Sequence, residues 1–324
     1  MSRKRIILFW IVYCLTLPQM AYAGWQRFEQ DIMGTLVRVE IQHEQDSRRL
    51  AASQAVFAEM HRLDAMLSPH LADSELSRLN RRAGRAPVEV SGELAALLQR
   101  ALYFSRLSQG AFDITYASVG HLYDYRRGIR PSPEAVSASL PAVNYRHVVI
   151  NGNRVRFDHP GVVIDLGGIA KGYAVDRAIA ILRQYGIDQA LVSAGGDSRI
   201  IGSRDGRPWM IGIRDPDRDG RSAVVLPLQN NAISTSGDYE RYFERDGRRY
   251  HHILTPATGK SPRELRSVTI IGARGIDTDA ISTTVFVLGT ERGLRLVERL
   301  PGIEAVLIDS QGRIHYSRGF EPAS

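Results

Sequence analysis

The sequence predicts an α+β fold in which mixed sheets are flanked by helices. Segments with helical and strand periodicity are interspersed along the 324-residue chain, with no break in composition between them. A strand–loop–helix–strand pattern over residues 161–194 is typical of a βαβ unit. No internal repeat or low-complexity segment interrupts this organisation. We therefore expect residues 24–324 to form one compact unit of one or two lobes.

The N-terminal residues have the order of a secretory signal peptide. A basic "MSRKR" is followed by the apolar "IILFWIVYCLTL" and by "AYA", which ends at Ala23. The apolar run is short for a membrane span, so cleavage before Gly24 is expected, with an uncleaved anchor as the alternative. The one cysteine, Cys14, lies in this run, so the mature chain must rely on its core rather than on disulfides. These features predict a periplasmic protein.

The charge distribution argues against nucleic-acid binding. Removal of Arg3, Lys4 and Arg5 with residues 1–23 lowers the net charge from +7 to +4. The remaining basic residues occur as scattered pairs rather than as a stripe with aromatic residues between them. A mild attraction for a polyanionic small molecule is compatible with this charge.

The first third of the chain contains one clear strand and two clear helices. "MGTLVRVEI", residues 33–41, alternates as a strand does. A helix is expected from about residue 48 to residue 67, because its apolar side chains share one face. Ser91 has the position of an N-cap for the next helix, and Gly110 that of its C′ glycine.

The middle of the chain predicts a parallel crossover. "GVVIDL" (161–166) is the expected first strand, residues 173–185 the helix, and "QALVSA" (189–194) the second strand. This arrangement would place the intervening loop at the carboxyl end of a strand, where ligands commonly bind. Short alternating segments, two helices at about 279–288 and 291–300, and a final strand pair complete the chain.

The loop of that crossover contains Gly167 and Gly168, and a second glycine pair lies in "SAGGD", residues 193–197. Lys171 is followed by glycine rather than by Ser or Thr, so the loop is not a nucleoside-triphosphate loop, and its spacing is not the dinucleotide fingerprint. The loop is either an anion site at a helix N-terminus or a tight corner with a solvated lysine. Two such pairs suggest that backbone approaches a bulky ligand from two sides.

His251 and His252 are adjacent in an expected strand. Their side chains should point to opposite faces, so only one of them can serve a given site. A surface or packed histidine is the alternative for either residue. The sequence contains no HExxH spacing and no cysteine beyond residue 14, which gives a zinc site little support.

Two further segments carry candidate ligands. Asp279 and Thr283 are four apart, so on a helix they present a carboxylate and a hydroxyl on one face. A few hard oxygen ligands suit Mg²⁺, whereas capping of the helix by Thr278 or Asp279 is the alternative. "GAFDIT", residues 110–115, could contact a nucleotide or could simply enter the core.

These segments, in this order, resemble the ApbE family of Mg²⁺-dependent FAD:protein FMN transferases. The resemblance extends from Met33 to about Phe320, and no single segment would establish it alone. The matching segments are "MGTLVRVEI", "DSELSRLN", "GAFDIT", "DLGGIAKGYAVD", "SAGGD", "ISTSGDYERYF", "HILTPATGKSP" and "DTDAISTTVFVLG".

The resemblance also implies roles for individual residues. His252 would be a catalytic base beside the bound FAD, and the Mg²⁺ ligands would be Asp279, Thr283 and the backbone carbonyl of Gly168. His70 occupies a position where the family often has an aromatic residue, and Tyr123 is the aromatic nearest to a position that is often tryptophan. Contacts with FAD are implied for Met33, His70, Ala111, Phe112, Asp113, Asp165, Lys171 and His252.

The reaction implied by the resemblance is phosphoryl transfer. A threonine hydroxyl of a partner protein attacks the FMN-side phosphorus of FAD, and AMP leaves. His252, with a pKa expected near its ordinary value of about 6.5, would accept the hydroxyl proton. The implied acceptor is a periplasm-facing subunit of a membrane electron-transfer complex. An FAD pyrophosphatase that uses water, and a non-enzymatic FAD-binding protein, are the alternatives; a flavin oxidoreductase has less support.

Overall fold

The structure of the protein is a computed structural model that describes residues 24–218 and 220–320. The expected signal peptide, residues 1–23, lies outside the described residues. Within the described ranges, no helix is both long enough and apolar enough to span a membrane. The strands in chain order are β1 Trp25–Ile32, β2 Thr35–Gln42, β3 Val88–Glu89, β4 Val148–Asn151, β5 Arg154–Phe157, β6 Gln189–Ala194, β7 Asp197–Ile201, β8 Trp209–Arg214, β9 Ser222–Leu228, β10 Ala232–Gly237, β11 Tyr242–Arg245, β12 Arg248–His251, β13 Leu265–Gly272, β14 Glu304–Asp309 and β15 Ile314–Tyr316.

The α-helices flank these strands, and short 3-10 turns lie at 114–116, 140–142 and 145–147. The helices in chain order are α1 Asp46–Leu67, α2 Glu75–Arg82, α3 Gly92–Leu107, α4 Ala117–Gly120, α5 Pro133–Ser139, α6 Ala170–Gln184, α7 Gly275–Leu288 and α8 Thr290–Val297.

One eight-stranded sheet organises the fold. Its order is β1-β2-β6-β7-β10-β13-β14-β15, and every neighbouring pair is antiparallel. Helices α6 and α7 pack against each other and against its central strands, and α1 packs against α6. The main apolar core lies between the sheet and these helices, and a smaller core around Trp209 forms under the β8–β9 hairpin. The structure is therefore α+β, as the sequence predicts.

The predicted βαβ unit is wrong. Residues 161–166 form no strand, and side chains take two of their backbone N–H groups: Val163 donates to Ser118 Oγ and Ile164 to Asn80 Oδ1, both at 2.9 Å. The second expected strand is β6, and its partners β2 and β7 are both antiparallel to it. The glycine loop consequently lies beside the sheet and not at the end of a parallel strand.

Several helix ends differ from the predicted ones by a few residues. Helix α6 begins at Ala170 rather than 173, and α7 begins at Gly275 rather than Asp279. Ser91 caps α3 as predicted, since its side chain accepts from Leu94 N–H. At the other end of α3, Gln109 (φ 54°) takes the left-handed C′ position, and Gly110 follows it with its N–H bonded to Ser105 O. The C′ residue is therefore Gln109, one position before the predicted Gly110.

Candidate functional site

A cavity of about 290 Å³ lies where the two glycine pairs face α7 and the segment that follows β12. Its size is near the lower end of the range for ligand pockets. Nine of the eleven residues selected from the sequence line it: Ala111, Phe112, Asp113, Asp165, Gly168, Lys171, His252, Asp279 and Thr283. Segments that are far apart in the chain thus meet at one site.

Met33 and His70 do not line this cavity. Met33 lies in the β1–β2 turn with φ 57° and packs against the main core, while its neighbours Gly34 and Thr35 line the cavity. His70 is exposed in the turn between α1 and α2. Tyr123, considered as a replacement aromatic, stacks on Tyr125 with ring centroids 5.6 Å apart and is also outside the cavity.

The glycines of "DLGGIAKG" have two different roles. A Cβ built on Gly168 would lie 3.2 Å from both Phe112 Cε2 and Thr283 Oγ1, so the missing side chain keeps this part of the cavity open. A Cβ on Gly172 would lie 2.1 Å from the Gly275 carbonyl oxygen, so Gly172 is required for the close packing of α6 on α7. The loop is both a ligand-facing backbone and a tight helix contact.

Helices α6 and α7 cap each other with carboxylates. Asp279 of α7 accepts from Gly172 N–H at 2.9 Å near the start of α6. Asp176 of α6 accepts from Gly275 N–H at 2.8 Å and from Ile276 N–H at 3.0 Å at the start of α7. Because α7 begins four residues before Asp279, neither Thr278 nor Asp279 is its N-cap, and that alternative is wrong.

A buried charge cluster forms the wall of the cavity beside this contact. Lys171 Nζ pairs with Asp197 and lies 4.0 Å from Asp279 Oδ1. Burial, followed by the nearby Asp197 carboxylate, raises the pKa of Asp279 above its ordinary value. Burial also opposes the charge on Lys171, but Asp197 and Asp279 outweigh it and raise the pKa of Lys171. Two carboxylates therefore share one ammonium, which leaves an excess of negative charge when both are ionised.

The residues of this wall fit a small hard cation. Asp279 and Thr283 lie one helical turn apart on α7, and both line the cavity. Thr283 Oγ1 is 3.4 Å from Ser236 Oγ and adjacent to Gly168. Within the described residues, no group of three or more His, Cys, Asp or Glu side chains is placed to hold a metal. Mg²⁺ takes few protein carboxylates and completes its shell with water and phosphate oxygens, so this sparse oxygen set suits it.

His252 alone of the two histidines faces the cavity. Its backbone N–H donates to Arg241 O at 3.1 Å, which extends the β11–β12 pairing by one residue. Burial, and after it the positive charge of Arg241, lowers the pKa of His252 to about 3. The expected pKa near 6.5 is therefore wrong, and the imidazole is neutral at physiological pH.

His251 is a packed histidine. It is only 2% exposed, its Nε2 bonds with Pro262 O at 2.9 Å, and its ring meets Phe286 edge-on. The alternation of side chains along β12 thus gives the two histidines different environments, as the sequence predicts.

Asp113 is held by the protein itself. Its Oδ1 accepts from Thr115 N–H and its Oδ2 from Tyr145 N–H, both at 2.8 Å. Burial raises the pKa of this carboxyl. Asp113 therefore fixes the loop that presents Ala111 and Phe112 to the cavity.

Three ionisable residues that line the cavity were not predicted from the sequence, Tyr116, Glu240 and Arg241, and neither was Asp197, which pairs with Lys171. Three of these four lie in segments that were recognised as matching, "SAGGD" and "ISTSGDYERYF". Within those segments, no individual residue could be assigned a chemical role from the sequence. An acidic residue and an arginine that follow small residues are as typical of a solvated loop as of a binding site. The exposed Arg241 supplies the cavity with a guanidinium, a group suited to phosphate oxygens.

Comparisons with known proteins agree with the fold and identify the family. The model of the ApbE family matches residues 33–307. An FAD:protein FMN transferase of Treponema pallidum is 36% identical over 309 residues, with 89% of this chain and 85% of the relative covered. One from Vibrio cholerae is 34% identical over 286 residues, covering 84% and 86%. The crystal structure of the ApbE protein of Thermotoga maritima superposes with a TM-score of 0.85 at 36% identity, covering 92% of this chain and 98% of that one.

Proposed function

The chain belongs to the ApbE family and is a flavin transferase, and we propose that it moves the FMN moiety of FAD onto a threonine hydroxyl of a partner protein, with release of AMP. One observation carries the proposal: a single cavity brings together two glycine pairs, a neutral histidine and a carboxylate–hydroxyl pair. Such a cavity offers room for a pyrophosphate, a base for a hydroxyl and oxygen ligands for a cation.

The pyrophosphate of FAD would lie against backbone and positive charge. Gly167–Gly168 precede the first turn of α6, whose N-terminus favours an anion, and Gly195–Gly196 line the same cavity. Arg241 adds a guanidinium at the same cavity. These groups would orient the FMN-side phosphorus for attack.

The transfer itself exchanges one phosphorus–oxygen bond for another. The threonine oxygen bonds to the FMN-side phosphorus, and the bond from that phosphorus to the bridging oxygen breaks. AMP leaves with the bridging oxygen and its electron pair. The hydroxyl proton passes to His252, whose imidazole is neutral and therefore free to accept it. The negative charge of bound FAD would raise the basicity of His252 above that of the empty cavity.

We propose Mg²⁺ as the metal of this site, held by Asp279, Thr283 and the Gly168 carbonyl. When bound, it would offset the charge that builds on the pyrophosphate. The support for it is the negative excess of the Lys171 cluster and the space that Gly168 leaves beside Thr283.

We also propose that the mature chain works in the periplasm and that its acceptor is a periplasm-facing subunit of a membrane electron-transfer complex. The order of basic, apolar and small residues over 1–23 supports export, and the ApbE resemblance supports the acceptor. N-terminal sequencing of the exported protein tests the first point, since cleavage before Gly24 is expected.

The test of the reaction uses two synthetic peptides that differ only in the acceptor residue, threonine or valine. With FAD and Mg²⁺, the threonine peptide should gain one FMN moiety while AMP appears, and the valine peptide should not. FMN and AMP released equally with either peptide would identify water as the nucleophile and the protein as a pyrophosphatase. FAD binding without cleavage would identify a carrier.

A further inference from the structure

A second concave surface, which we name the basic groove, adjoins the cavity. It has a volume of about 390 Å³, and six cationic side chains line it: Arg130, Arg245, Arg248, Arg249, Lys260 and Arg263. One segment forms the wall between the two spaces, because Leu254 and Pro256 line the cavity whereas Lys260 and Ser261 line the groove. Tyr250 of β12 lines the groove and His252, just after β12, lines the cavity, so lining residues of the two sites are two positions apart in the chain, about 7 Å of extended backbone.

Most of the positive charge in the groove is uncompensated. Arg249 pairs with Asp238 at 3.1 Å and with Glu244 at 3.0 Å. Arg130 lies over the Tyr250 ring, 5.2 Å from its centroid. The other four cations are exposed, and none of them makes an ion pair within the part of the chain that the structure describes: Arg245, Arg248, Lys260 and Arg263.

No carboxylate in the described ranges lines the groove. The acidic residues next to lining positions in the chain are Asp124, Glu134, Glu244, Asp246 and Glu264, and of these Glu244 pairs with Arg249. They do not enter the groove, so its field is positive and favours an anionic partner.

The groove is a formed surface rather than a set of loose side chains. Its aromatic side stacks in a row, with Tyr123 on Tyr125 and Phe243 on Tyr250 at centroid distances of 5.6 and 5.1 Å. Tyr123 OH donates to Gly259 O at 2.9 Å and so ties this row to the wall segment. Gly259 has φ +64°, and a Cβ there would lie 2.8 Å from Val119 Cγ1, so the wall is closely packed.

We propose that the basic groove binds an acidic stretch of the acceptor polypeptide, next to the threonine that receives FMN. This inference rests on the proposed function. An extended chain advances about 3.3 Å per residue, so a threonine oxygen at His252 would place residues about two to four positions away in the groove. The tyrosines and Val136 offer apolar contacts, and the four unpaired cations select for acidic side chains. Polypeptide fits this concave, partly apolar surface better than a flat lipid headgroup layer does.

The test combines charge reversal in the groove with charge removal in the peptide. The double variant Arg245→Glu, Arg248→Glu changes two cross-strand neighbours of the β11–β12 hairpin that do not line the cavity. Its matched control is Arg292→Glu, Arg299→Glu, two exposed arginines that line neither space. The probes are synthetic peptides with one threonine and, beginning two residues from it on either side, three aspartates or three asparagines.

We expect the groove variant to raise the KM for the better aspartate peptide at least tenfold, with kcat within about twofold and FAD affinity unchanged. The KM for the asparagine peptide should be high for the wild type and no higher for the variant, and the control pair should resemble the wild type. Added salt should raise the wild-type KM for the aspartate peptide.

Each of the following results would overturn the assignment. An unchanged KM of the groove variant for the aspartate peptide, or an equal rise in its KM for both peptides, would show that the groove does not recognise acidic side chains. A loss of FAD affinity in the groove variant would assign the cations to FAD. Loss of binding to vesicles of anionic phospholipid with no change in peptide KM would assign the groove to a membrane surface. If the wild type modifies none of the peptides, the proposed transfer to threonine is itself contradicted, and the groove assignment with it.

Discussion

At the scale of the residue, Asp279 has two functions that can be separated. Its carboxylate accepts from Gly172 N–H at the start of α6 and also lines the cavity beside Thr283. Asparagine keeps an acceptor oxygen for that N–H but removes the negative charge, whereas alanine removes both. The pair of substitutions therefore distinguishes a metal ligand from a structural cap.

For Asp279→Asn, we predict that FAD turnover falls at least about 100-fold while thermal stability stays close to that of the wild type. For Asp279→Ala, we predict the same loss of turnover and an additional loss of about 1–3 kcal/mol, because a buried N–H is left unsatisfied. Turnover assays and thermal melts measure the two effects. If the asparagine variant turns over FAD at the wild-type rate, Asp279 serves only to cap α6 and is not a metal ligand.

The raised pKa of Asp279 leads to a pH prediction. A protonated carboxyl does not bind a cation, so protons compete with Mg²⁺ once the pH falls toward the raised pKa of this group. The Mg²⁺ concentration that gives half-maximal turnover should rise as the pH is lowered from 8 to 6. A Mg²⁺ requirement that is constant over this range would contradict the assignment.

Residue types and spacing indicated much of the site, but not its electrostatics. The i, i+4 spacing of Asp279 and Thr283 and the alternation of His251 and His252 are local patterns, and both appear in the structure as expected. The pKa of His252 could not be predicted, because it depends on burial and on Arg241, which folding brings beside it. Asp197 was missed for the same reason, since its partner Lys171 is 26 residues away.

At the scale of the element, the α6–α7 contact holds the cavity together. Gly172 and Gly275 face each other so closely that a Cβ on either would lie within 2.5 Å of the other's carbonyl oxygen. The reciprocal caps by Asp279 and Asp176 fix the same two helix starts. A shift of one helix would therefore move Lys171 and Asp279 relative to each other.

For Gly172→Ala, we predict a loss of about 1–3 kcal/mol or more in unfolding free energy, because the methyl group would overlap the Gly275 backbone. The control is Gly92→Ala in the first turn of α3, where the nearest atom to a new Cβ is Asn153 Nδ2 at 3.9 Å. That variant should be as stable as the wild type or more so, since alanine is the better helix former. Equal melting curves for both variants would show that α6 can move away from α7 enough to accommodate the added methyl group.

The helices were predictable because their periodicity and caps are local, whereas the strand order was not. Ser91 and its helix were found from the sequence, and the errors at other helix ends were a few residues. The βαβ prediction failed because strand β6 pairs with β2, about 150 residues earlier in the chain, and local patterns do not specify such a partner. The side chains of Ser118 and Asn80, which accept from the backbone of Val163 and Ile164, are also distant in sequence, 45 and 84 residues away.

At the scale of the whole molecule, the large antiparallel sheet and its helices place distant segments around one cavity with a basic groove beside it. The order of matching segments predicted which parts of the chain would meet, although each segment was weak on its own. It did not predict the groove, whose cations come from the loop before α5, the β11–β12 hairpin and the wall segment. Those cations appear as scattered pairs in the sequence and form one surface only after folding.

The most direct test of the central claim is the rate of FMN transfer by His252→Asn, measured as the threonine-peptide adduct together with FAD affinity. Because His252 lines the cavity and is proposed to accept the hydroxyl proton, the account predicts a loss of about 10²–10⁴-fold in adduct formation. FAD affinity should stay within a few fold, since the glycine pairs and Arg241 are unchanged. Adduct formation at the wild-type rate would contradict the account, because the cavity would then not contain the base for the reaction.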